Sequence, residues 1–394
     1  MKKNKFKLLW IIFISFAFLS SVILTCRCFK PSGKSSEPVL ANQSKPEITS
    51  TEAQMIGVWV PFMDLTINDP EDTEKKFKNK FDDIVKTAKQ NKANTLIVHV
   101  RSHGDAMYKS DYFPWSHFLT GTQGQDPGFD PLEYMVKTCH ENNLKIHAWI
   151  NPLRIKFSTN PNTLCQTNPY FNFDSKKQII KSQGNLYYNP SYPEVRELIA
   201  NGVKEIVQNY DVDAMHIDDY FYPETDCEVL EQFGGISKKE AVNLLIKKIY
   251  STIKETKPNV EFGISPAGNL KKCDLIGADI QTWIDNPGYA DYICPQIYWS
   301  MDFDIMPFEN TAKTWKELFK NNNNKIKLYC GLALYKAGSK EFDGGTWKDK
   351  NDILANEFKI CKNLNFDGII IYAWNHLKSN DAKPELENLL HELR

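Results

Sequence analysis

The stretch DAMHIDDYFYP, residues 213–223, sets the reading of this chain. A short apolar, strand-like run ends there in adjacent carboxylates, Asp218 and Asp219, and passes into Tyr220, Phe221 and Tyr222. A strand that delivers acids and aromatics at its C-terminal end suits the mouth of a (β/α)8 barrel. Carboxylates so placed can protonate or attack a glycosidic bond, and aromatic faces can stack on sugar rings. The bland reading is a strand end with a solvated Asp pair and a turn at Pro223. The remainder of the chain decides between the two.

Working outward, strand-like runs alternate with amphipathic helical stretches. The strands read are 56–62, 95–101, 145–151, 213–219, 261–267, 292–299, 327–335 and 367–375. Between them, 74–92 places Phe77, Phe81, Ile84, Val85 and Ala88 on one helical face. Similar spacing marks 130–143, 193–210, 238–256, 311–322, 351–364 and 383–394, with 277–285 the weakest helix. Such alternation implies a parallel sheet, because parallel strands need crossover connections. Eight units favour a closed barrel over an open doubly wound sheet, and no G-x-G-x-x-G follows the first strand. The fold class is therefore α/β, a single (β/α)8 TIM barrel. Its segments after the strands are the long ones, 102–129, 152–192, 220–236 and 336–349, so the insertions fall on the C-terminal face.

Polar groups gather at that same face. Strand alternation sends His216 and Asp218 into the barrel mouth and Asp219 toward the wall or loop. The same parity groups His99 with Arg101, His147 with Trp149 and Asn151, and Gln296 with Tyr298. An Asp218 surrounded by Arg101, His147 and His216 would stay ionised, as a nucleophile or base must. The second carboxylate is open among Asp219, Glu224, Asp105, Asp302 and Asp64. A metal-dependent hydrolase is a competing reading, since His99, His103, His147 and His216 could ligate a divalent ion. No pair has the tight spacing of a helical zinc motif, so no metal or other cofactor is assigned.

Bulk composition bounds the rest. With 48 basic and 49 acidic residues and a net charge of −1, no basic field argues for nucleic acid. A 42% hydrophobic, 12% aromatic chain of 394 residues can bury a large core. The N-terminus has Lys2, Lys3, Lys5 and Lys7 before the apolar run LLWIIFISFAFLSSVIL (8–24). ILTC (23–26) is similar to a lipobox, with Cys26 as the lipid anchor. Residues 1–29 thus read as a signal peptide or membrane anchor, 30–54 as a flexible linker, and 55–394 as the barrel, held outside the cytoplasmic membrane. Of nine cysteines, Cys139, Cys294, Cys330 and Cys361 read as core, and Cys165, Cys227 and Cys273 as loop residues able to form one disulfide. Oligomeric state is not legible.

Several stretches resemble one family. HVRSHGDAMYKSDYFPWSHFLTGTQGQDPGFDPLEYMVKTCHENNLKIHAWINPLRI (99–155), GNLYYNPSYPEVRELI (184–199), DAMHIDDYFYP, FGISPAGN (262–269) and YICPQIYWSMDF (292–303) are similar, in order, to the glycosyl-hydrolase-like family 10 domain of bacterial lipoproteins. The resemblance implies a (β/α)8 barrel and an exported, often membrane-anchored glycoside hydrolase. It points to cleavage of peptidoglycan glycan strands stripped of their stem peptides. The motifs it carries over are Arg101, Asp105, Trp149 to Asn151, Asp218 with Asp219, and Gln296 to Trp299. The expected catalytic residues are then Asp218, as nucleophile or base, with Asp219 or Asp302 as acid. Expected substrate contacts are Arg101, Asp105, His147, Trp149, Asn151, His216, Tyr220, Gln296, Tyr298, Trp299 and Trp374. The competing class is a catalytically silent glycan-binding barrel.

Overall fold

The computed structural model describes residues 54–223 and 235–394. The leader with Cys26, the linker up to residue 53, Glu224 and Cys227 lie outside the described residues. Among the described residues no helix is long and apolar enough to cross a membrane.

Eight parallel strands close into a barrel, as the alternation predicts. They are β1 (Met55–Val60), β2 (Thr95–Arg101), β3 (Lys145–Ile150), β7 (Ala214–Ile217), β8 (Glu261–Ile264), β9 (Tyr292–Ile293), β10 (Lys327–Leu332) and β11 (Gly368–Ile371), with β11 pairing back to β1. Helices pack outside. Thr73–Gln90 buries the apolar face read from its sequence, Ser237 caps Lys238–Thr256, and Asp130 caps Pro131–Glu141 by accepting from Leu132 N and Glu133 N.

Several strands stop short of their expected ends, most of all β9. Pro295 has no N–H to continue the ladder, and pairing resumes only through Gln296, which bridges Ala267 and Gly331. The segment after β3 holds structure that the strand count missed. It folds into an antiparallel sheet of β4 (Arg154–Lys156), β5 (Ile179–Ser182) and β6 (Asn185–Tyr188). Gln183 and Gly184, at φ 49° and 79°, form the two-residue turn of the β5–β6 hairpin. Both central residues at positive φ match the twist of the flanking strands, and a polar-Gly pair was the signal available in the sequence.

A four-fold pattern of hydrogen bonds closes the bottom of the barrel. Asn94, Asp213, Asp291 and Asp367 each stand one residue before β2, β7, β9 and β11. Each side chain accepts from the backbone N–H of the preceding strand: Ile56 at 3.0 Å, Ile146 at 2.8 Å, Phe262 at 2.6 Å and Leu328 at 2.8 Å. Each backbone N–H returns a bond to the carbonyl of that same residue, at 3.0, 3.0, 2.8 and 2.8 Å. Each backbone carbonyl then receives the first N–H of the next strand, from Lys145, Glu261, Lys327 and Met55. One Asx residue thus clamps three consecutive strands, and the motif recurs at every second strand.

The clamp predicts a specific pattern of losses. Asp291→Ala should lower unfolding stability by about 1–3 kcal/mol, because a buried strand N–H loses its acceptor. Asp291→Asn, which keeps an amide oxygen as Asn94 does, should cost less than half as much in urea titrations.

Candidate active site

The barrel interior is layered. Met55, Trp59, Ile97, Trp149, Ala214, Tyr292, Cys294, Tyr329 and Ile370 form one internal apolar cluster, with Tyr298 and Tyr372 packed against it. Gly263 makes this possible, since a Cβ there would sit 1.8 Å from the Tyr292 ring.

A directed chain of polar contacts runs through the interior. The Trp59 indole N–H donates to His216 Nε2 at 3.3 Å, so His216 carries its proton on Nδ1. That Nδ1–H donates to Tyr292 Oη at 2.8 Å, and Tyr292 donates to His147 Nδ1 at 2.9 Å. Burial pushes the His147 imidazole down to about 3 and holds that of His216 well below its usual value, so both are neutral. His147 and His216 are therefore floor residues rather than sugar contacts.

The mouth lies above this floor. Asp218 projects inward, as strand parity requires, and is 5% exposed. Its Oδ1 accepts from Asn151 Nδ2 at 2.5 Å and from Tyr220 N at 3.1 Å. Asn151 is oriented in turn by His99, whose Nε2 meets the amide oxygen at 2.9 Å while its ring stacks on Trp149 with centroids 3.5 Å apart. Burial, and secondarily the neighbouring Asp219 charge, push the Asp218 carboxyl up to about 7. Arg154, Asn151 and the Tyr220 N–H only partly oppose this. Asp219 turns toward β8 and β9, where Gln296 Nε2 donates to it at 3.2 Å and Lys272 Nζ lies 3.7 Å away. Tyr220 is 47% exposed beside the pair, with the Arg154 guanidinium 4.1 Å from its ring centroid. Tyr298, Tyr335 and Tyr372 make an aromatic wall, with Tyr298 centroids 5.9 and 5.8 Å from the other two.

Besides His147 and His216 in the floor, five more expected site residues are not at the mouth. Arg101 is turned away by a register slip: β2 and β3 pair in step as far as His99 and Trp149, after which Arg101 faces Ile150 instead of Asn151. The extra residue reverses its side, and the guanidinium ends 4.2 Å from the Phe113 ring, sealed in the wall at 1% exposure. Asp105 is a loop hub, bound to His117 Nδ1 at 2.7 Å and Gln123 Nε2 at 2.9 Å. Trp299 points outward against Gly268 and donates to Thr311. Trp374 is buried in the outer core beneath Lys378. Asp302 pairs with Lys350 at the surface, its side chain about half exposed. Asn151 and Tyr220 do meet Asp218, and Gln296 meets Asp219. Trp149 stacks on His99 within the internal cluster, and Tyr298 stands in the aromatic wall.

Arg154 takes the place expected of Arg101. Nothing in the sequence singled it out before β4 was known. Asp64, the carboxylate after β1, has its carboxyl pushed up to about 6 by burial and lies against Asn375 and Lys80. The metal reading loses its ligands to hydrogen bonds: His99 serves Asn151, His103 serves Ser102, and His147 and His216 serve Tyr292. Among the described residues no group of three or more His, Cys, Asp or Glu is placed to hold a metal ion. Cys165 and Cys273 are free thiols, and Cys273 is a buried residue donating to Ala267 O, not an open loop thiol.

Residues 54–349 match the glycosyl hydrolase-like 10 family. The chain belongs to this family. It is 35% identical to the glycosyl hydrolase YngK of Bacillus subtilis over 80% of its own length, and spans 66% of that relative. It is 30% identical to the glycosyl hydrolase DigH of Escherichia coli K12, covering 94% of this chain and 90% of the relative. Among solved structures, the PgaB (BpsB) glycoside hydrolase domain from Bordetella bronchiseptica shares the barrel at 10% identity and TM-score 0.58, over 86% of this chain and 99% of that one. The β-amylase catalytic domain from Paenibacillus polymyxa does so at 12% identity and TM-score 0.57, over 86% and 97%. At such identities the likeness is one of fold.

The raised Asp218 carboxyl has a measurable sign. Its native value of about 7 lies above the ordinary 3.8, so its contribution to stability is complete below pH 4 and lost as pH rises through 7. Asp218→Asn removes the buried charge and should stabilise the fold at pH 8 by on the order of 2 kcal/mol, with little effect at pH 4. Thermal melts of both proteins at the two pH values measure the difference.

Proposed function

We propose that this protein is an exported glycoside hydrolase that cuts peptidoglycan-type glycan strands lacking stem peptides, with Asp218 as general acid. The observation that carries the reading is the environment of Asp218. Its Oδ1 is occupied by two N–H donors, its carboxyl is pushed up to about 7, and it sits at an aromatic-lined mouth beside Asp219. An acid that still holds its proton near neutrality can deliver it from Oδ2 to the glycosidic oxygen. As the C–O bond breaks, the Asp219 carboxylate, set by Gln296 and Lys272, stabilises the positive charge developing at the anomeric carbon. Water then bonds to that carbon and gives its proton to the Asp218 carboxylate. This exchanges the roles expected from sequence, where Asp218 was nucleophile or base, and it leaves Asp302 outside the chemistry. Tyr220 and Tyr298 offer ring faces to the sugars. The basic n-region, the apolar run 8–24 and the lipobox-like ILTC support a barrel tethered to the outer face of the cytoplasmic membrane.

Purified glycan strands with and without stem peptides provide the test. Wild-type protein should release soluble fragments from stripped strands, and Asp218→Asn should lower kcat about 10²- to 10⁴-fold. With Asp218 as acid, kcat/KM should fall tenfold per unit above an apparent pKa near 7. Binding without turnover in the wild type would instead identify a silent glycan-binding module. Asp302→Asn should retain activity within about twofold, since a surface ion pair contributes little; a 10²-fold loss would restore Asp302 to the site.

A further inference from the structure

One cation at the mouth has no ion-pair partner among the described residues. Arg154 opens β4 at 6% exposure, and none of the described carboxylates forms an ion pair with it. Of its five N–H donors only those on Nη1 find an acceptor, the Ser102 carbonyl at a long 3.4 Å, and its Nε is buried without a partner. Nearby acids are otherwise engaged. Asp219 faces Lys272, Asp105 is bound to His117, and Asp218 accepts from Asn151 and Tyr220. His99 and His103, imidazoles that feel the Arg154 charge, are held neutral chiefly by burial. A guanidinium this desolvated is costly unless an anion meets it, and its planar fork suits a carboxylate.

Unmet donors alone do not mark a ligand site, since Arg101 also has an Nε and an Nη2 buried without partners. Arg101 shows the sealed alternative: it too lacks an ion-pair partner, but at 1% exposure it is shut in behind Phe113. Arg154 instead lies against the ring of Tyr220, which is half exposed next to the Asp218–Asp219 pair. The sugar platform and the unmatched cation are therefore one surface.

We propose that Arg154 and Tyr220 form an acidic-sugar subsite, in which a ring packs on Tyr220 and its carboxylate is held by the Arg154 guanidinium. The inference rests on the glycosidase reading and names the substrate group that the site selects. The carboxylate is either a uronate or an ether-linked lactyl acid. In a glycan strand the lactyl acid is free only where no peptide is attached, because a stem peptide converts it to a neutral amide. Arg154 would then make the loss of the peptide the condition for tight binding.

Calorimetric binding to the full chain carrying Asp218→Asn, which keeps the ligands intact, tests this with four oligosaccharides. These bear a free lactyl acid, the same lactyl group as its amide, a uronate, or no acid. At least one acidic ligand should bind ten or more times tighter than its neutral counterpart, and whether it is the lactyl or the uronate form identifies the source. Adding Arg154→Gln should bring that ratio to about one. Arg154→Lys, which keeps the charge without the fork, should leave an intermediate ratio and guards against a folding defect in the first variant. Ratios near one with Arg154 intact, or a ratio that survives Arg154→Gln, overturn the subsite. Wild-type protein that discriminates acid from amide yet cleaves neither loses the glycosidase reading and keeps the subsite. Equal cleavage of acid and amide forms does the reverse.

Discussion

An Asx residue set one position before every second strand uses its side chain, its N–H and its carbonyl on three neighbouring strands at once. Asn94, Asp213, Asp291 and Asp367 repeat this around the barrel floor. Parallel strands have no hairpin to set their register, so something at the strand origins must fix it. A one-residue slip of β7 against β3 would turn Asp218 out of the mouth. With Asp213 bonded to Ile146 both ways, β7 starts in one register, and Asp218 arrives inside the barrel four residues after Ala214.

Above the clamps, a one-way polar chain crosses the interior. Trp59, His216, Tyr292 and His147 satisfy one another in a single direction, which lets the barrel bury two imidazoles without charge. That neutrality matters for the mouth. A charged His216 below Asp218 would favour the carboxylate, whereas a neutral one leaves burial as the dominant influence and the proton in place. His99 extends the same logic upward by fixing Asn151, whose amide nitrogen then faces Asp218.

The sequence was informative where periodicity governs and silent where a single residue breaks it. Eight strand–helix units, the inward turn of Asp218 and the meeting of Asn151 and Gln296 with the Asp pair all follow from alternation. Arg101 fails the same rule because β2 carries one extra residue after His99, and no composition cue marks that slip. Trp299 sits one residue past Tyr298 and so faces the outer layer, which parity alone could have said. Asp302 looked well placed by strand number, but it lies on a loop that reaches out to Lys350. Arg154 became recognisable only once the 152–192 insertion had folded into β4–β6, a non-local sheet whose one local mark was the Gln183–Gly184 turn.

The floor chain also bears on how the site keeps its hydrogen ions. His216 and Tyr292 each give one bond and take one in a fixed sense, and neither nitrogen of His216 bonds to Asp218. Asn151 separates Asp218 from His99 with an amide, which holds its hydrogens and hands none on. Among the described side chains none relays a proton to Asp218 from beneath, so its open side is the mouth. In the general-acid role proposed above, a sugar seated there covers that side, and the proton must be in place before the sugar arrives.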